Sequence, residues 1–282
     1  MDALAVVDRI TLRAGGREIS GRLEVGSLVA VLSPQDATAL RFLEALALDD
    51  RVFRYGRFAT PATDFAPRMT VQAAVAKAGD LAVTRIEVSE ALVLAGVDGI
   101  RRQHAREHKG PRLELAQAVT NRADLMILPY SLDTLTPWEL EPVLAAVRGD
   151  RSVLVATRRL DVLELADTVI VLHEDQLAFW GSLDQLRRAV LPPTYRLVAK
   201  DASAARGIVE SFRVQMTETP DGWVFRSEHG QEIAAKLLTQ GYGRIEAVIE
   251  RLPSLKDVLQ AVIEHAERGV PLGRKSRPSG II

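Results

Sequence analysis

The chain has 282 residues, of which 47% are hydrophobic and 26% charged, and it carries a net charge of −1. This length and composition predict a packed protein with one large domain or a large and a small one, and the balanced charge gives no indication of a nucleic-acid partner. The absence of cysteine excludes disulfides, thiol catalysis and thiolate metal sites. No apolar run approaches the roughly 18 residues of a membrane span. Charged residues close to Met1 argue against a signal peptide, so we expect a cytoplasmic protein that reaches the membrane only through a partner.

The first two thirds of the chain alternate between strand patterns and helix patterns. Strand patterns occur in LAVVDRITLRA, REISGRLEV, GSLVAVLSP, the end of PRLELAQAVTNRADLMILPYSL, SVLVATRRL and DTVIVLHEDQLAFWGS, the last of which predicts a hairpin that turns near Glu174 and Asp175. Helical spacing occurs over Thr38–Leu46, in TVQAAVAKAGDLAV, in SEALVLAGV and in PRLELAQAV. Strands of continuous Leu, Val and Ile are typical of parallel sheets that are buried on both faces. Residues 1–191 are therefore predicted to form an α/β domain with a mostly parallel sheet.

The double proline Pro192 and Pro193 predicts a domain boundary. Beyond it, short strand patterns and helix patterns alternate, so residues 194–267 are predicted to form a small α+β domain. Residues 268–282 contain GRKSRPSG, which predicts a basic, disordered tail.

The order of four segments resembles that of the nucleotide-binding domain of ABC transporters. They are VAVLSPQDATAL, FAPRMTVQAAV, GPRLELAQAVTNRADLMILPYSLDTLTP and SVLVATRRLDVLELADTVIVLHEDQLAFWGS, in the family's order from the Walker A loop to the histidine switch. The C-terminal domain, with LPSLKDVLQAV, resembles the extension of ATP-binding subunits of drug- and lipid-type exporters whose permease is a separate chain. The resemblance implies a P-loop NTPase-like fold with a helical subdomain.

The phosphate-binding loop implied by this resemblance lacks the residues that its chemistry needs. The family pattern G-P-x-G-x-G-K-[ST] falls on Ser33, Pro34, Gln35, Asp36, Ala37, Thr38, Ala39 and Leu40. Glycines let backbone N–H groups turn toward the phosphates, a lysine neutralises them, and a hydroxyl binds magnesium. Ala39 and Leu40 supply neither the charge nor the hydroxyl, and Asp36 places a carboxylate where an anion would bind. Losing several such hydrogen bonds, at about 1.5–3 kcal/mol each, lowers the affinity for nucleotide roughly several thousand-fold.

The other catalytic positions of the family are replaced as well. Its magnesium-binding Asp falls on Pro129, its general-base Glu on Tyr130, its magnesium-sensing Gln on Ala62, its switch histidine on Arg158 and the Asp of the following loop on Thr136, while the signature L-S-G-G-Q falls on residues 105–109, AREHK. Proline cannot bind magnesium, and a tyrosine with an ordinary pKa of about 10 is a poor base at neutral pH. The replacements therefore predict a chain that is not an ATPase and that uses neither a nucleotide cofactor nor a metal.

The resemblance also implies a role and a kind of partner. Nucleotide sites in this family lie between two chains, and both halves of such a site are altered here. This favours a noncatalytic, structural or regulatory subunit of an ABC-transporter-type membrane complex, paired with a membrane permease or another ABC-type subunit, as a homodimer or a heterodimer. In the family a permease helix docks beside the segment after Ala62, so we expect Phe65, Met69 and Val71 to line an exposed apolar groove unless they only pack the helical subdomain.

Several alternatives stay open at this point. The chain could be a weak ATPase completed by a partner, or a small-molecule sensor that uses the emptied pocket around Pro34, Asp36 and Pro129. It could also be an unrelated α/β protein with chance similarity. The histidines His104 and His108, four residues apart, could share a helix face as a metal pair, although a solvated loop is favoured because no third ligand is visible nearby.

Overall fold

A computed structural model describes residues 3–10, 19–48, 58–79, 86–199, 202–220, 222–240 and 245–268. The predicted tail, apart from Arg268, and the last part of the helix pattern TVQAAVAKAGDLAV lie outside these residues. The chain divides into two compact units, Met1–Leu183 and Asp184–Ile282, and each is described by itself.

The first unit alternates strands and helices along the chain. Its strands are β1 (Ala3–Ile10), β2 (Ile19–Glu24), β3 (Leu28–Leu32), β4 (Phe58–Ala59), β5 (Leu125–Pro129), β6 (Ser152–Ala156), β7 (Thr168–His173) and β8 (Gln176–Gly181). Its helices are α1 (Asp36–Leu48), α2 (Val71–Gly79), α3 (Val88–Leu94), α4 (Pro111–Thr120), α5 (Pro137–Arg148) and α6 (Leu160–Leu165), with 3-10 turns at Asp98–Ile100, Ala105–His108 and Ser131–Thr134.

The main sheet of the first unit has six strands among the described residues, in the order β4-β5-β6-β3-β7-β8. Strands β4, β5, β6, β3 and β7 run parallel to one another, and β8 runs antiparallel to β7. This confirms the predicted α/β class with a mostly parallel sheet. Strands β3, β5 and β6 are buried almost throughout, as their continuous apolar sequences predict. Because these strands are parallel, the loops that follow them meet at one edge of the sheet, where α/β proteins commonly bind ligands.

Helix α1 packs on this sheet through one apolar stripe. Ala39, Phe42, Leu43 and Leu46 follow the spacing i, i+3, i+4, i+7 and are all buried in the core. The ring of Trp180 on β8 meets Phe42 edge-on, with 6.4 Å between the ring centroids. The stripe fixes how α1 lies on the sheet and therefore where its N-terminus points.

The hairpin predicted near Glu174 and Asp175 is confirmed. β7 ends at His173, β8 begins at Gln176, and the two residues between them have φ angles of 47° and 63°. Positive φ at both central residues is what a tight two-residue hairpin turn of type I′ requires. Asp175 is buried and accepts a hydrogen bond of 3.0 Å from the Thr38 hydroxyl, so the turn is tied to α1.

A buried arginine joins the helical region to the sheet. Arg151, which precedes β6, is 4% exposed, and its guanidinium donates hydrogen bonds to the backbone carbonyls of Ala118, Asn121 and Val147. These carbonyls belong to the last turns of α4 and α5 and to the residue just beyond α4, where helix backbones leave acceptors without intrahelical partners. The guanidinium therefore satisfies two helix ends at once.

The second unit is an α+β sandwich of one sheet and helices. Its strands are β9 (Thr194–Ala199), β10 (Met216–Thr219), β11 (Gly222–Arg226) and β12 (Ile245–Arg251), and its helices are α8 (Ala202–Ser211), α9 (Gly230–Gln240) and α10 (Leu255–Glu267), preceded by α7 (Leu183–Val190) at the unit boundary. The described strands form an antiparallel sheet in the order β10-β11-β9-β12. With α8 after β9 and α9 after β11, this is the split βαβ arrangement of ferredoxin-like folds.

Tyr195 is the centre of the second unit's core. Its ring stacks on Phe225 with 5.2 Å between the centroids, and its hydroxyl donates a hydrogen bond of 3.0 Å to Glu250. Burial, helped by the neighbouring Glu250 carboxylate, raises the pKa of Tyr195 to about 12. Gly230, the first residue of α9, packs directly against the ring, and a Cβ at this position would lie 1.8 Å from Cε2 of Tyr195. The approach of α9 to the sheet thus depends on the absence of a side chain at residue 230.

We expect Gly230→Ala to lower the free energy of unfolding of the second unit by about 1–3 kcal/mol, the usual effect of overpacking a core. Gly207→Ala is the matched control, because Gly207 lies inside α8 with no atom within 4 Å of a Cβ added there. Removing a glycine from a helix interior should raise stability by about 0.5–1 kcal/mol. Urea unfolding of the two variants measures both effects, and a Gly230→Ala protein as stable as the parent would contradict the packing described.

Candidate functional site

The sequence predicts an altered phosphate-binding loop after β3. In the structure, hydrogen bonds between residues of this loop hold its backbone. The hydroxyl of the buried Ser33 accepts a hydrogen bond of 3.2 Å from the backbone N–H of Gln35. The carbonyl of Gln35 in turn accepts one of 3.0 Å from the N–H of Thr38. Pro34 and Gln35 themselves are exposed. Two N–H groups of this loop are therefore engaged within the chain.

Of the two positions that follow Thr38 in the pattern, the first faces the protein interior and the second is partly exposed. Ala39, at the place of the family's lysine, is fully buried and packs in the core with Val31 and Phe42. Leu40, at the place of the magnesium-binding hydroxyl, is half-buried. The apolar character of both residues agrees with where the structure puts them.

Asp36 and Arg158 form a two-pronged ion pair at the N-terminus of α1. Nε of Arg158 donates a hydrogen bond of 2.8 Å to Oδ1 of Asp36, and Nη2 contacts Oδ2. Asp36 is the first residue of α1, where free N–H groups and the helix dipole favour a negative charge. The guanidinium carbon of Arg158 also lies 5.1 Å from the centroid of the Tyr130 ring. The structure therefore brings three predicted positions of the altered site together.

The turn after β5 is held by an aspartate that the sequence analysis did not identify. Tyr130 adopts the left-handed conformation, with φ 61°, and its N–H donates to the Ala156 carbonyl at 3.0 Å. Three residues on, the Asp133 carboxylate accepts hydrogen bonds from the Thr157 hydroxyl at 2.5 Å and from the N–H of Arg158 at 3.0 Å. Asp133 thus fixes the residue that pairs with Asp36.

Tyr130 is not placed to act as a base. Its hydroxyl oxygen is buried and has no hydrogen-bond partner among the described residues. Burial raises the pKa of Tyr130 above 10.0, and the negative charge of Asp133 adds to the effect. The phenol therefore stays neutral at neutral pH. Pro129, at the end of β5, carries no polar side-chain atom.

Arg41, Arg158 and Arg159 each contact a carboxylate of the same chain. Besides Arg158, Arg41 binds the buried Asp175. Arg159 binds Asp161, a contact that holds the pKa of this carboxyl below its usual range. A phosphate group entering the loop would compete with these carboxylates for positive charge.

The described residues contain no group of three or more His, Asp or Glu side chains that could hold a metal ion. His104 and His108 do not share a helix face, since the turn Ala105–His108 between them is a 3-10 turn. His104 lies 3.5 Å from the carboxylate of Glu107. The alternative of a metal pair at these two histidines therefore has no support in the geometry.

Ala62, at the place of the family's magnesium-sensing Gln, is held by a side chain from α4. The amide of Gln117 accepts a hydrogen bond of 2.9 Å from the N–H of Ala62 and donates one of 3.2 Å to its carbonyl. Gln117 is buried and comes 55 positions later in the chain. The sequence analysis did not identify this residue, because no local pattern distinguishes it from other polar residues of the helix.

The segment after Ala62 departs from the predicted exposed groove. Val71 is fully buried and Phe65 is 4% exposed, while Met69 is partly exposed. The expectation that all three line an exposed apolar surface is wrong for Val71, because it starts α2 with its side chain in the core. Phe65 is also buried, so the expectation is wrong for it as well, although its side chain lines a cavity.

A cavity of about 240 Å³ lies between this segment, α2 and α4. Its lining includes Ala62, Phe65, Met69, Lys77, Gln117 and Met126. Neither the loop after β3 nor Pro129 contributes to it. The cavity is therefore separate from the pocket around Pro34, Asp36 and Pro129 on which the small-molecule alternative depends.

Comparison with known proteins gives partial matches. No protein-family model matches the chain. It is 32% identical over 78 residues to an ATP-dependent lipid A-core flippase of Haemophilus ducreyi and 35% identical over 91 residues to one of Nitrosococcus oceani. These matches cover 27% and 30% of this chain but only 13% and 15% of the flippases. The fold is similar to that of a bacterial Atm1-family ABC exporter solved with ATP bound, with a TM-score of 0.51 and 18% identity over 65% of this chain and 40% of the exporter.

Over part of its length the chain is therefore similar in sequence to ATP-dependent lipid A-core flippases, and its fold is similar to that of an ABC exporter. The chain spans well under a fifth of the flippases that it matches by sequence. Among the residues that the structure describes, no helix is both long and apolar enough to cross a membrane.

Thr136, on which the resemblance places the Asp of the loop after the predicted general base, begins α5 through a carboxylate cap. The N–H and hydroxyl of Thr136 donate to the Glu139 carboxylate at 2.7 Å and 2.6 Å. Arg112 on α4 donates to both oxygens of the same carboxylate at 2.9 Å. These contacts, the Arg112 hydrogen bonds first and those from Thr136 next, lower the pKa of Glu139 from 4.5 to about 2. The cap ties the start of α5 to α4.

Because its folded pKa is depressed, Glu139 stabilises the fold above its unfolded pKa, and this contribution is lost as pH falls from 4.5 toward about 2. We expect Glu139→Gln to be less stable than the parent at pH 7 and to lose less stability over that acid range. Thermal melts between pH 7 and pH 2 measure this. Glu141→Gln, an exposed carboxylate on the same helix, is the control and should follow the parent curve. Parallel curves for the parent and Glu139→Gln would contradict the assignment.

Proposed function

We propose that the chain is a noncatalytic subunit of an ABC-exporter-type membrane complex and works without binding or hydrolysing ATP. It acts on the cytoplasmic side of the membrane, attached to a membrane-embedded partner. The observation that carries this proposal is the Asp36–Arg158 ion pair at the N-terminus of α1. The relation to ABC exporters supports the assignment to a transport complex.

The ion pair opposes nucleotide binding in two ways. The Asp36 carboxylate already lies in the first turn of α1, so a phosphate there would meet a like charge at close range. The same phosphate would also have to take Arg158 from Asp36, breaking a two-pronged ion pair. The lysine that repays such losses in phosphate-binding loops is replaced by the buried Ala39.

The chain also lacks the side chains that ATP hydrolysis needs. A catalytic base must accept a proton from water near neutral pH, and the neutral Tyr130 phenol does not do so. Magnesium prefers carboxylate and hydroxyl oxygens, which Pro129 and Leu40 lack. These observations favour a scaffolding role over an ATPase completed by a partner. A partner would have to supply both the catalytic base and the magnesium ligands.

Equilibrium titration with a fluorescent ATP analogue and magnesium tests the proposal. We expect no saturable binding in the micromolar range, since several charge-assisted hydrogen bonds are missing. Competition with unlabelled ATP separates specific from nonspecific signal. Micromolar binding that ATP displaces would contradict a nucleotide-independent role and favour the partner-completed ATPase.

Asp36→Gly should raise the affinity for ATP by about tenfold or more, because it removes the like charge and releases Arg158 for a phosphate. The double variant Asp36→Gly, Arg158→Ala should lose this gain. Asp161→Asn is the comparison variant: it releases the neighbouring Arg159 but leaves the Asp36 carboxylate in place, so its gain in affinity should be smaller than that of Asp36→Gly. The same titration measures all three variants, and a phosphate-release assay of Asp36→Gly should show no turnover. Turnover would mean that the catalytic positions are misplaced.

A further inference from the structure

Three arginines share one face of the second unit's sheet. Thr194 on β9 lies opposite Arg226 on β11 and opposite Arg251 on β12, so these residues form one row across three neighbouring strands. Arg196 follows two residues later on β9 and therefore lies on the same face, in the next row. Tyr195, between Thr194 and Arg196, points to the other face, into the core that α8 and α9 cover.

The geometry of the sheet brings the three arginines within reach of one small ligand. Neighbouring strands lie about 4.8 Å apart, so the backbones of Arg226 and Arg251, on either side of Thr194, are about 10 Å apart. Arg196 is about 7 Å further along the central strand, because each residue of a strand advances about 3.4 Å. Nε of Arg226 donates a hydrogen bond of 3.2 Å to the Thr194 hydroxyl, which directs this guanidinium toward the middle of the row.

The charge of these arginines is not neutralised by the chain. In the part of the chain that the structure describes, none of Arg196, Arg226 and Arg251 pairs with a carboxylate. Glu250, the residue before Arg251, lies on the opposite face of the sheet and accepts a hydrogen bond from Tyr195. Three like charges on one face repel one another, and a bound anion removes that repulsion.

The residues around the arginines favour an anion over a nucleobase. Val224 and Ile249 flank Arg196, and Thr217 lies beyond Val224. No Asp or Glu stands in this row of the described strands or in the row of Thr194. Four-stranded sheets that bind single-stranded RNA stack its bases on aromatic rings. The aromatic residues of the described strands belong instead to the core on the other face, namely Tyr195, Trp223 and Phe225.

Arg196 is the most enclosed of the three arginines. It is half-buried, whereas Arg226 and Arg251 are exposed. Nε of Arg196 is buried and has no hydrogen-bond partner among the described residues. A buried donor without a partner is rare in folded proteins and calls for an explanation such as a bound water or ion. A cation that water solvates poorly also gains more from a neighbouring anion than an exposed cation does.

We propose that these three arginines form an anion site that binds a phosphate ester with two or more negative charges. Arg226 and Arg251 hold the phosphate from either side, and Arg196 supplies the third positive charge. A guanidinium matches the oxygens of a phosphate with two parallel hydrogen bonds. The same chemistry occurs in soluble phosphate esters and in the headgroups of anionic lipids. The inference goes beyond the proposed function, because the site lies in the second unit and does not use the loop after β3.

Isothermal titration calorimetry of the full chain with pyrophosphate tests the proposal. We expect saturable binding of one pyrophosphate per chain, which weakens in 0.5 M salt because salt screens exposed charges. Sedimentation with vesicles of phosphatidylglycerol and phosphatidylcholine is the parallel arm. If anionic lipid is the source of the phosphate, the protein sediments with these vesicles but not with phosphatidylcholine alone, and pyrophosphate releases it.

Substitutions locate the site. Arg226→Gln and Arg251→Gln should each lower the affinity for pyrophosphate about tenfold, because each removes charge-assisted hydrogen bonds to the phosphate. Arg251→Lys keeps the charge without the two-pronged geometry and should lose less than Arg251→Gln. Arg213→Gln is the matched control, since Arg213 is an exposed arginine beyond the end of α8 with the same change of charge, and it should leave the affinity unchanged. Thermal melts confirm that each variant is folded.

The results that would overturn the proposal differ from those that would overturn the proposed function. An absence of saturable binding to both pyrophosphate and vesicles would contradict the anion site alone. Binding that persists in the double variant Arg226→Gln, Arg251→Gln would contradict its location. Arg158→Ala should not change the affinity for pyrophosphate, and a loss there would place a phosphate site in the first unit and contradict both proposals. In the ATP titration, the double variant removes any binding of the ATP phosphates to the second unit.

Discussion

A helix that begins at the carboxyl edge of a parallel sheet leaves free N–H groups and a partial positive charge at that edge. Proteins with this arrangement commonly fill the place with a phosphate from a ligand. In this chain the anion is covalently part of the helix, because Asp36 is its first residue. Arg158 pairs with this internal anion, and Tyr130 and Asp133 both contact Arg158.

The segment that follows Ala62 is held independently of this internal anion. By the resemblance, Ala62 stands where ABC transporters have the glutamine that senses magnesium. Here Gln117 holds Ala62 directly, and Arg106 holds Phe65, without any contribution from the loop after β3. The cavity beside this segment is therefore formed without the loop after β3.

The local pattern of the sequence predicts elements well and distant pairings poorly. The apolar runs of β3, β5 and β6 and the turn at Glu174 and Asp175 follow from local rules of burial and backbone conformation. The pairing of Asp36 with Arg158 joins residues 122 positions apart, and no periodicity marks it. The same holds for the strand order of the second unit, since several orders would bury the same residues. The sequence pattern also did not predict the burial of Val71. An apolar residue at the start of a helix gives the same pattern whether it lines an exposed groove or packs in the core.

The Asp36–Arg158 pair adds little to the stability of the fold. The side chains are 41% and 65% exposed, and exposed ion pairs contribute about 0–1 kcal/mol because water and salt screen them. Its effect on a phosphate ligand is larger. A phosphate at the N-terminus of α1 would have to displace the Asp36 carboxylate or meet its like charge at close range. The carboxylate is also present at the effective concentration of a tethered group, so a free anion competes with it at a disadvantage. A contact that is nearly neutral for folding can thus be decisive for excluding nucleotide, and the two effects are separable by experiment because they act on different equilibria.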